Sequence, residues 1–234
     1  MKYPLCRGKP MFNFDWQPLF LTFRLAGLTT GLLLIIGIPL AYWLSGSEKK
    51  FKYIIQTLVS MPLILPPTVL GFYLLVAFSP ENFFGKFLDS VFNLRLVFSF
   101  EGLVVASVIY SLPFMVNSVQ SGFQSLPRSL YDASYTLGKS RAATFFRVLL
   151  PNIKPALITG TVLSFAHTVG EFGVILMIGG SIPGETRVAS IAIYDEVEAL
   201  NYSAANFYAL ILFVIAFLIL LSVYVFNRKY LKAL

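Results

Sequence analysis

The chain has 234 residues, 57% of them hydrophobic and only 12% charged, which excludes a soluble globular domain, where about a quarter of residues are charged. Its formal net charge of +7 does not point to nucleic acid, because the basic residues stand between apolar windows and form no continuous stripe. A single cysteine, Cys6, excludes an intramolecular disulfide and a cysteine-rich metal site.

The N-terminal segment carries Lys2, Arg7 and Lys9 and no cleavable leader, since the first apolar run passes into a spanning-length segment without a small-residue cleavage pattern. Met11 offers an alternative start that would remove all three basic residues. Windows 25–47, 53–80, 102–127, 172–184 and 200–227 contain no Asp, Glu, Lys or Arg, and several exceed the roughly 20 residues that a helix needs to cross the hydrocarbon core. Five spans are predicted, at 18–44, 51–79, 102–121, 153–178 and 203–226. With no sign of the alternation of a membrane barrel, the expected fold class is an all-α integral membrane protein.

Five spans place the termini on opposite sides. One set of connections, 45–52, 122–154 and the tail, holds eleven lysines and arginines; the other, 80–101, 179–202 and the N-terminal segment, holds six. The positive-inside rule makes the first set cytoplasmic. The expected organisation is a periplasmic segment 1–17, a transmembrane domain 18–227 and a cytoplasmic tail 228–234, with no regulatory domain after the last span.

Segment 122–154 has too much helical patterning for a passive connector. Ser129 and Asp132 have the spacing of a capping box, Leu130, Ala133 and Leu137 share a helical face, and Gly138 is placed to supply a left-handed C-terminal cap. A second start follows at Ser140 and leads through Phe145, Phe146 and Leu149 to Pro151. A helix of about two turns is marginal alone, so it either lies on the membrane or is held by a protein partner or the rest of the loop.

Asp132-Ala133-Ser134, then Gly138, then Val148-Leu149-Leu150-Pro151 resembles the cytoplasmic signature of ABC-importer permeases, Glu-Ala-Ala, three residues, Gly, nine residues, Ile-x-Leu-Pro. The resemblance implies a type I importer architecture in which residues 128–140 form a coupling helix, with Arg128, Asp132, Ala133, Ser134, Gly138, Leu150 and Pro151 meeting a separate ATPase. It also implies a permease homodimer, two ATP-binding-cassette subunits that bind ATP and Mg, a periplasmic oxyanion-binding protein and surrounding membrane lipid. No cofactor is expected in this chain, which has no phosphate-binding G-x-x-x-x-G-K-[ST] loop and is read as a transport subunit and not an enzyme.

Other segments narrow the cargo. The run Met61 to Pro67 with Gly71 resembles the proline-rich span of oxyanion permeases, Gly170-Glu171-Phe172-Gly173 is similar to a motif of molybdate, tungstate and sulfate permeases, and Ile182 to Arg187 resembles the molybdate branch. Pro62, Pro66 and Pro67 remove backbone donors and kink the helix, either for packing or along a pathway. Asn117 and Gln120 are expected to bond between helices or to face the pathway. Pro183-Gly184 is an ordinary turn, promoted with Glu185 and Arg187 to a binding-protein docking surface only by the resemblance. Glu171 is expected to be held by hydrogen bonds to His167 one turn earlier, to freed backbone N–H groups or to a polar residue of another span, fixing a pathway-side bend. Sulfate is the alternative cargo. A secondary transporter with a His167–Glu171 proton relay and an intramembrane metal site on that pair are the alternatives of other classes.

Overall fold

The computed structural model describes residues 15–231. Lys2, Cys6, Arg7, Lys9, Met11 and Lys232 lie outside the described residues. Secondary structure among the described residues is entirely helical.

Helix α1 (Gln17–Gly46) begins with Pro18 in its first turn and buries one side made of Leu21, Leu25, Thr29, Leu33, Gly37, Ala41 and Leu44. Its 30 residues make a rod about 45 Å long, enough for a hydrocarbon core of about 30 Å with tilt. The second predicted span is not one helix. α2 (Phe51–Ser60) tightens into a 3₁₀ turn, Met61–Leu63, and α3 (Pro67–Phe78) departs from it at 112°. Pro66 and Pro67 have no N–H to continue the ladder, and Pro66 is driven to an extended ψ of 136° by the proline after it.

α4 (Phe83–Phe92) leads to α5 (Phe100–Gln124), whose N-terminus is capped by Ser99 Oγ accepting the Gly102 N–H at 3.2 Å. α6 (Arg128–Thr136) follows, then α7 (Arg141–Thr144), a π-helical turn (Phe145–Leu149) and α8 (Leu150–Asn152). Pro151 cannot donate to its own helix, and the widened turn closes instead through the Leu150 N–H on Phe145 O. α9 (Lys154–Gly170) leaves that rod at 75°.

The fourth predicted span also breaks, between α9 and α10 (Gly173–Gly179). Glu171 is extended (φ −68°, ψ 135°), and its carbonyl accepts the Ser190 hydroxyl at 2.6 Å instead of a helical N–H. α11 (Ala189–Glu198) and α12 (Tyr202–Leu231) complete the chain. Three helices are long and apolar enough to span a membrane, or up to five segments if each bent pair counts as one. The expected all-helical membrane architecture with about five spans therefore stands, with two corrections: the second span is bent, and the other bent pair is 141–152 with 154–170, so that the predicted fourth span 153–178 is interrupted at 171–172.

α1, α5 and α9 pack on one another and divide the interior into two large apolar clusters, beside a smaller third of Leu19, Ala189, Ala192 and Tyr208. Toward the α11 end, Leu25, Leu103, Ile175, Ile178 and Ile191 form one; toward the α6 end, Leu33, Leu44, Met115, Val119, Leu149 and Ile153 form the other. Glycine brings α1 and α5 together at one point, because a Cβ on Gly37 would stand 2.7 Å from Met115 Cγ. Small residues serve this purpose in lipid, where burial does not drive helices together.

Candidate functional site

Two parts of the fold carry the residues singled out above, one at the α6 end and one at the helix breaks. α6 is capped differently from the expectation. Its N-cap is Pro127 with no side-chain cap, so the Ser129–Asp132 capping box does not form. At the other end, Gly138 has φ +71°, its N–H donates to Tyr135 O and the Lys139 N–H to Ser134 O, which is a Schellman termination.

Ser134, the residue standing where the signature has its second alanine, is the buried position of α6, and its hydroxyl meets Thr144 Oγ1 at 2.8 Å. That pair ties α6 to the rod beginning at Arg141. Ser140 caps this rod through the Ala143 N–H at 3.2 Å. Ala133 and Leu137 face outward, with Leu137 76% exposed. Arg128 and Asp132 are exposed, Leu150 is half-buried and Pro151 exposed on the rod. The fold thus holds α6 by Ser134 and the half-buried Leu130 and Tyr131 and leaves Ala133 and Leu137 uncovered. Burial raises the Tyr131 phenol above its ordinary pKa, with Tyr42 and Tyr135 adding to the effect, so it serves as a neutral wall.

The two broken spans meet at their breaks. A Cβ on Gly173 would stand 2.8 Å from Pro67 Cβ, and one on Gly71 would stand 2.7 Å from Met177 Cβ. α3 and α10 therefore pack with backbone-close contact at the points where the chain stops being helical. Pro62 is buried in the 3₁₀ turn, whereas Pro66, Pro67 and Gly170 are exposed.

His167 and Glu171 do not pair. His167 Nδ1 lies 2.9 Å from Ser111 Oγ, which also meets Thr168 Oγ1 at 3.0 Å, and its ring packs on Tyr110 and Phe114 at 4.7 and 4.3 Å. Ending α9 at Gly170 turns the next side chain off the helical face that the i, i+4 spacing assumes. Glu171 is 4% exposed, with neither carboxylate oxygen hydrogen-bonded. The Ser107 hydroxyl, also buried, likewise has no hydrogen-bond partner. Asn117 is half-buried and Gln120 buried with its Oε1 unpartnered, and neither makes the expected interhelical hydrogen bond among the described residues.

The segment 182–187 is a tight turn in which the Glu185, Thr186 and Arg187 N–H groups all converge on Ile182 O. Gly184 has φ +82°. Arg187 is engaged inside the protein, donating to Asp195 Oδ2 at 2.8 Å and Glu196 Oε1 at 3.4 Å. The exposed crest is Ile182, Pro183, Gly184 and Glu185.

Sequence reasoning missed Ser134 with Thr144, Ser111 and Arg24. The first two pairings join positions 10 and 56 residues apart, and no periodicity marks them. Arg24 had a signal, a lone cation inside the first predicted span; its guanidinium lies 4.5 Å from the centroid of the Phe100 ring.

Comparison with known proteins bears on the family and the fold. The family model for the binding-protein-dependent transport system inner membrane component matches residues 34–232. The chain is similar to the molybdenum transport system permease protein ModB of Azotobacter vinelandii, with 44% identity over 219 residues, covering 94% of this chain and 97% of that protein. It is 34% identical to ModB of Escherichia coli (strain K12), covering 79% of this chain and 80% of that one. Similarity to the sulfate transport system permease protein CysT of Salmonella typhimurium is 32%, covering 84% of this chain and 70% of that protein. Among solved structures, the MetNI methionine ABC transporter in inward-facing conformations superposes with a TM-score of 0.71 at 16% identity, covering 95% of this chain and 98% of that chain. A bacterial alginate ABC transporter in complex with an alginate pentasaccharide-bound periplasmic protein gives 0.67 at 20%, covering 91% and 79%.

Proposed function

We infer that this chain, which belongs to the family of binding-protein-dependent transport system inner membrane components, is the membrane-spanning permease subunit of a molybdate importer. The observation that carries the cargo is the 44% identity to a molybdenum permease along 97% of that protein's length. The permease supplies the path, and a separate ATPase that binds ATP and Mg supplies the energy by hydrolysing the ATP. The open Leu137 side of α6 is the surface offered to that ATPase, and the excess of basic residues in the α6-end connections supports a cytoplasmic side for it. The N-terminus and the α11 end are then periplasmic, and the crest 182–185 is the part of the outer loop free to meet a periplasmic binding protein. Arg187 supports that crest through α11 and is not a ligand.

A second copy completes the pathway, with the paired breaks of α2–α3 and α9–α10 at its wall. Discontinuous spans present helix ends within the membrane. The exposed start of α3 at Pro67 turns the positive end of a 12-residue helix dipole toward the passage, favourable to a dianion without a fixed cation. The buried Glu171 is withdrawn from it. Reconstituting permease, ATPase and binding protein in proteoliposomes tests this: molybdate uptake should depend on ATP and withstand excess sulfate. Uptake saturating with sulfate and indifferent to molybdate would reassign the cargo.

A further inference from the structure

Between the α1–α2 turn and α6 lies a cavity of about 1020 Å³, at the upper end of the usual range for ligand sites of about 300–1,000 Å³. Lys49, Lys52, Arg128 and Arg141 line it against only two carboxylates, Glu48 and Asp132, leaving an excess of two positive charges. None of the four cations is ion-paired among the described residues, where the ion pairs are those of Arg95 and Arg187. Lys52 Nζ rests 5.6 Å from the Tyr53 ring. One side of the cavity is apolar: Tyr42 packs edge-on against Phe123 at 5.2 Å, and beside it Trp43, one turn from the end of α1, is 40% exposed. A tryptophan at that level sits where a bilayer meets water.

We propose that this cavity binds the phosphate head group of an acidic phospholipid from the cytoplasmic leaflet, an inference that rests on the orientation given above. Basic pockets between membrane helices on the cytoplasmic side suit such head groups. An aromatic wall at the bilayer boundary suits a ligand that carries acyl chains and has no use for a free oxyanion. The open Leu137 side of α6 points elsewhere, so the ATPase can occupy it while the lipid occupies the cavity. A lipid held between α1 and α6 would brace the coupling helix against the membrane.

Native mass spectrometry of the permease–ATPase complex, titrated with phosphatidylglycerol and with phosphatidylcholine of the same chains, tests the site. Phosphatidylglycerol should be retained selectively, and Lys49→Gln with Lys52→Gln should weaken it by at least roughly tenfold while the complex still assembles. Lys86→Gln, on α4 at the other end of the molecule, should leave binding unchanged. Equal retention of the two lipids, or undiminished binding in the double variant, would overturn the proposal. Displacement by millimolar inorganic phosphate or molybdate would make it a free-oxyanion site and refute the lipid. Binding to the permease alone that vanishes in the complex would mark a seat for the ATPase and refute it equally. Failure of molybdate uptake would touch none of these readouts.

Discussion

Single residues carry the sharpest constraints in this fold, and backbone conformation sets one of them. Gly138 has φ +71° and open space where a Cβ would stand, so its constraint is torsional and not steric. A β-branched residue there costs about 1–3 kcal/mol. Gly138→Val should fray the end of α6 and abolish co-purification with the ATPase, whereas Gly138→Asn, tolerant of the left-handed region, should keep it; normal transport by the valine variant would remove Gly138 from the coupling machinery. Glu171 is constrained by burial instead. Its carboxylate oxygens have no hydrogen-bond partner, and a bare buried charge costs more than an amide of the same shape. Glu171→Gln should therefore retain most molybdate uptake at matched membrane levels and should not lower thermal stability. Complete loss of uptake, or a change of anion preference, would show that the charge participates in transport.

At the scale of elements, two helix pairs depend on contacts that a single helix cannot supply. α6 has nine residues, too few to persist alone in water, and the Ser134–Thr144 pair anchors it to the following rod. Removing the Thr144 hydroxyl leaves Ser134 Oγ buried without this partner, whereas Thr144 without Ser134 keeps its bond to Ser140 O at 3.0 Å. A double-mutant cycle of Ser134→Ala and Thr144→Val should give a coupling of about 1 kcal/mol in thermal unfolding, and independent effects would mean that the pair does not hold the helix. α3 and α10 are joined by the absence of a side chain at Gly173. Gly173→Val must push Pro67 away, costing about 1–3 kcal/mol by overpacking, and should lower both the melting temperature and transport without disturbing ATPase co-purification. Loss of co-purification would mean that the breaks and the coupling helix are not separable.

For the whole molecule, the test is which end faces which compartment. In a Cys6→Ser background, Ser181→Cys should react with an impermeant thiol reagent on intact spheroplasts, since that position is exposed at the α11 end. Ser140→Cys, exposed at the α6 end, should react only after the membrane is opened. The reverse pattern would invert the orientation and with it the assignment of docking surfaces.

The amino-acid sequence by itself determined the membrane class, the helical fold, the starts of α1, α5 and α12 to within two residues, and the existence and left-handed end of α6. These follow from apolar length and from local backbone rules at glycine and proline, which act within a few residues. It also marked both break points through Pro66, Pro67, Gly170 and Gly173, without revealing that the helices separate there. Only the tertiary structure decided that the breaks pack against each other, that His167 turns to Ser111 and leaves Glu171 alone, that Arg187 is engaged by Asp195 and Glu196, and that Ser134 points inward. Each of these depends on which residue of a distant segment arrives opposite. In a chain this apolar, periodicity distinguishes a buried helical face from a lipid-facing one poorly, because both are made of the same side chains.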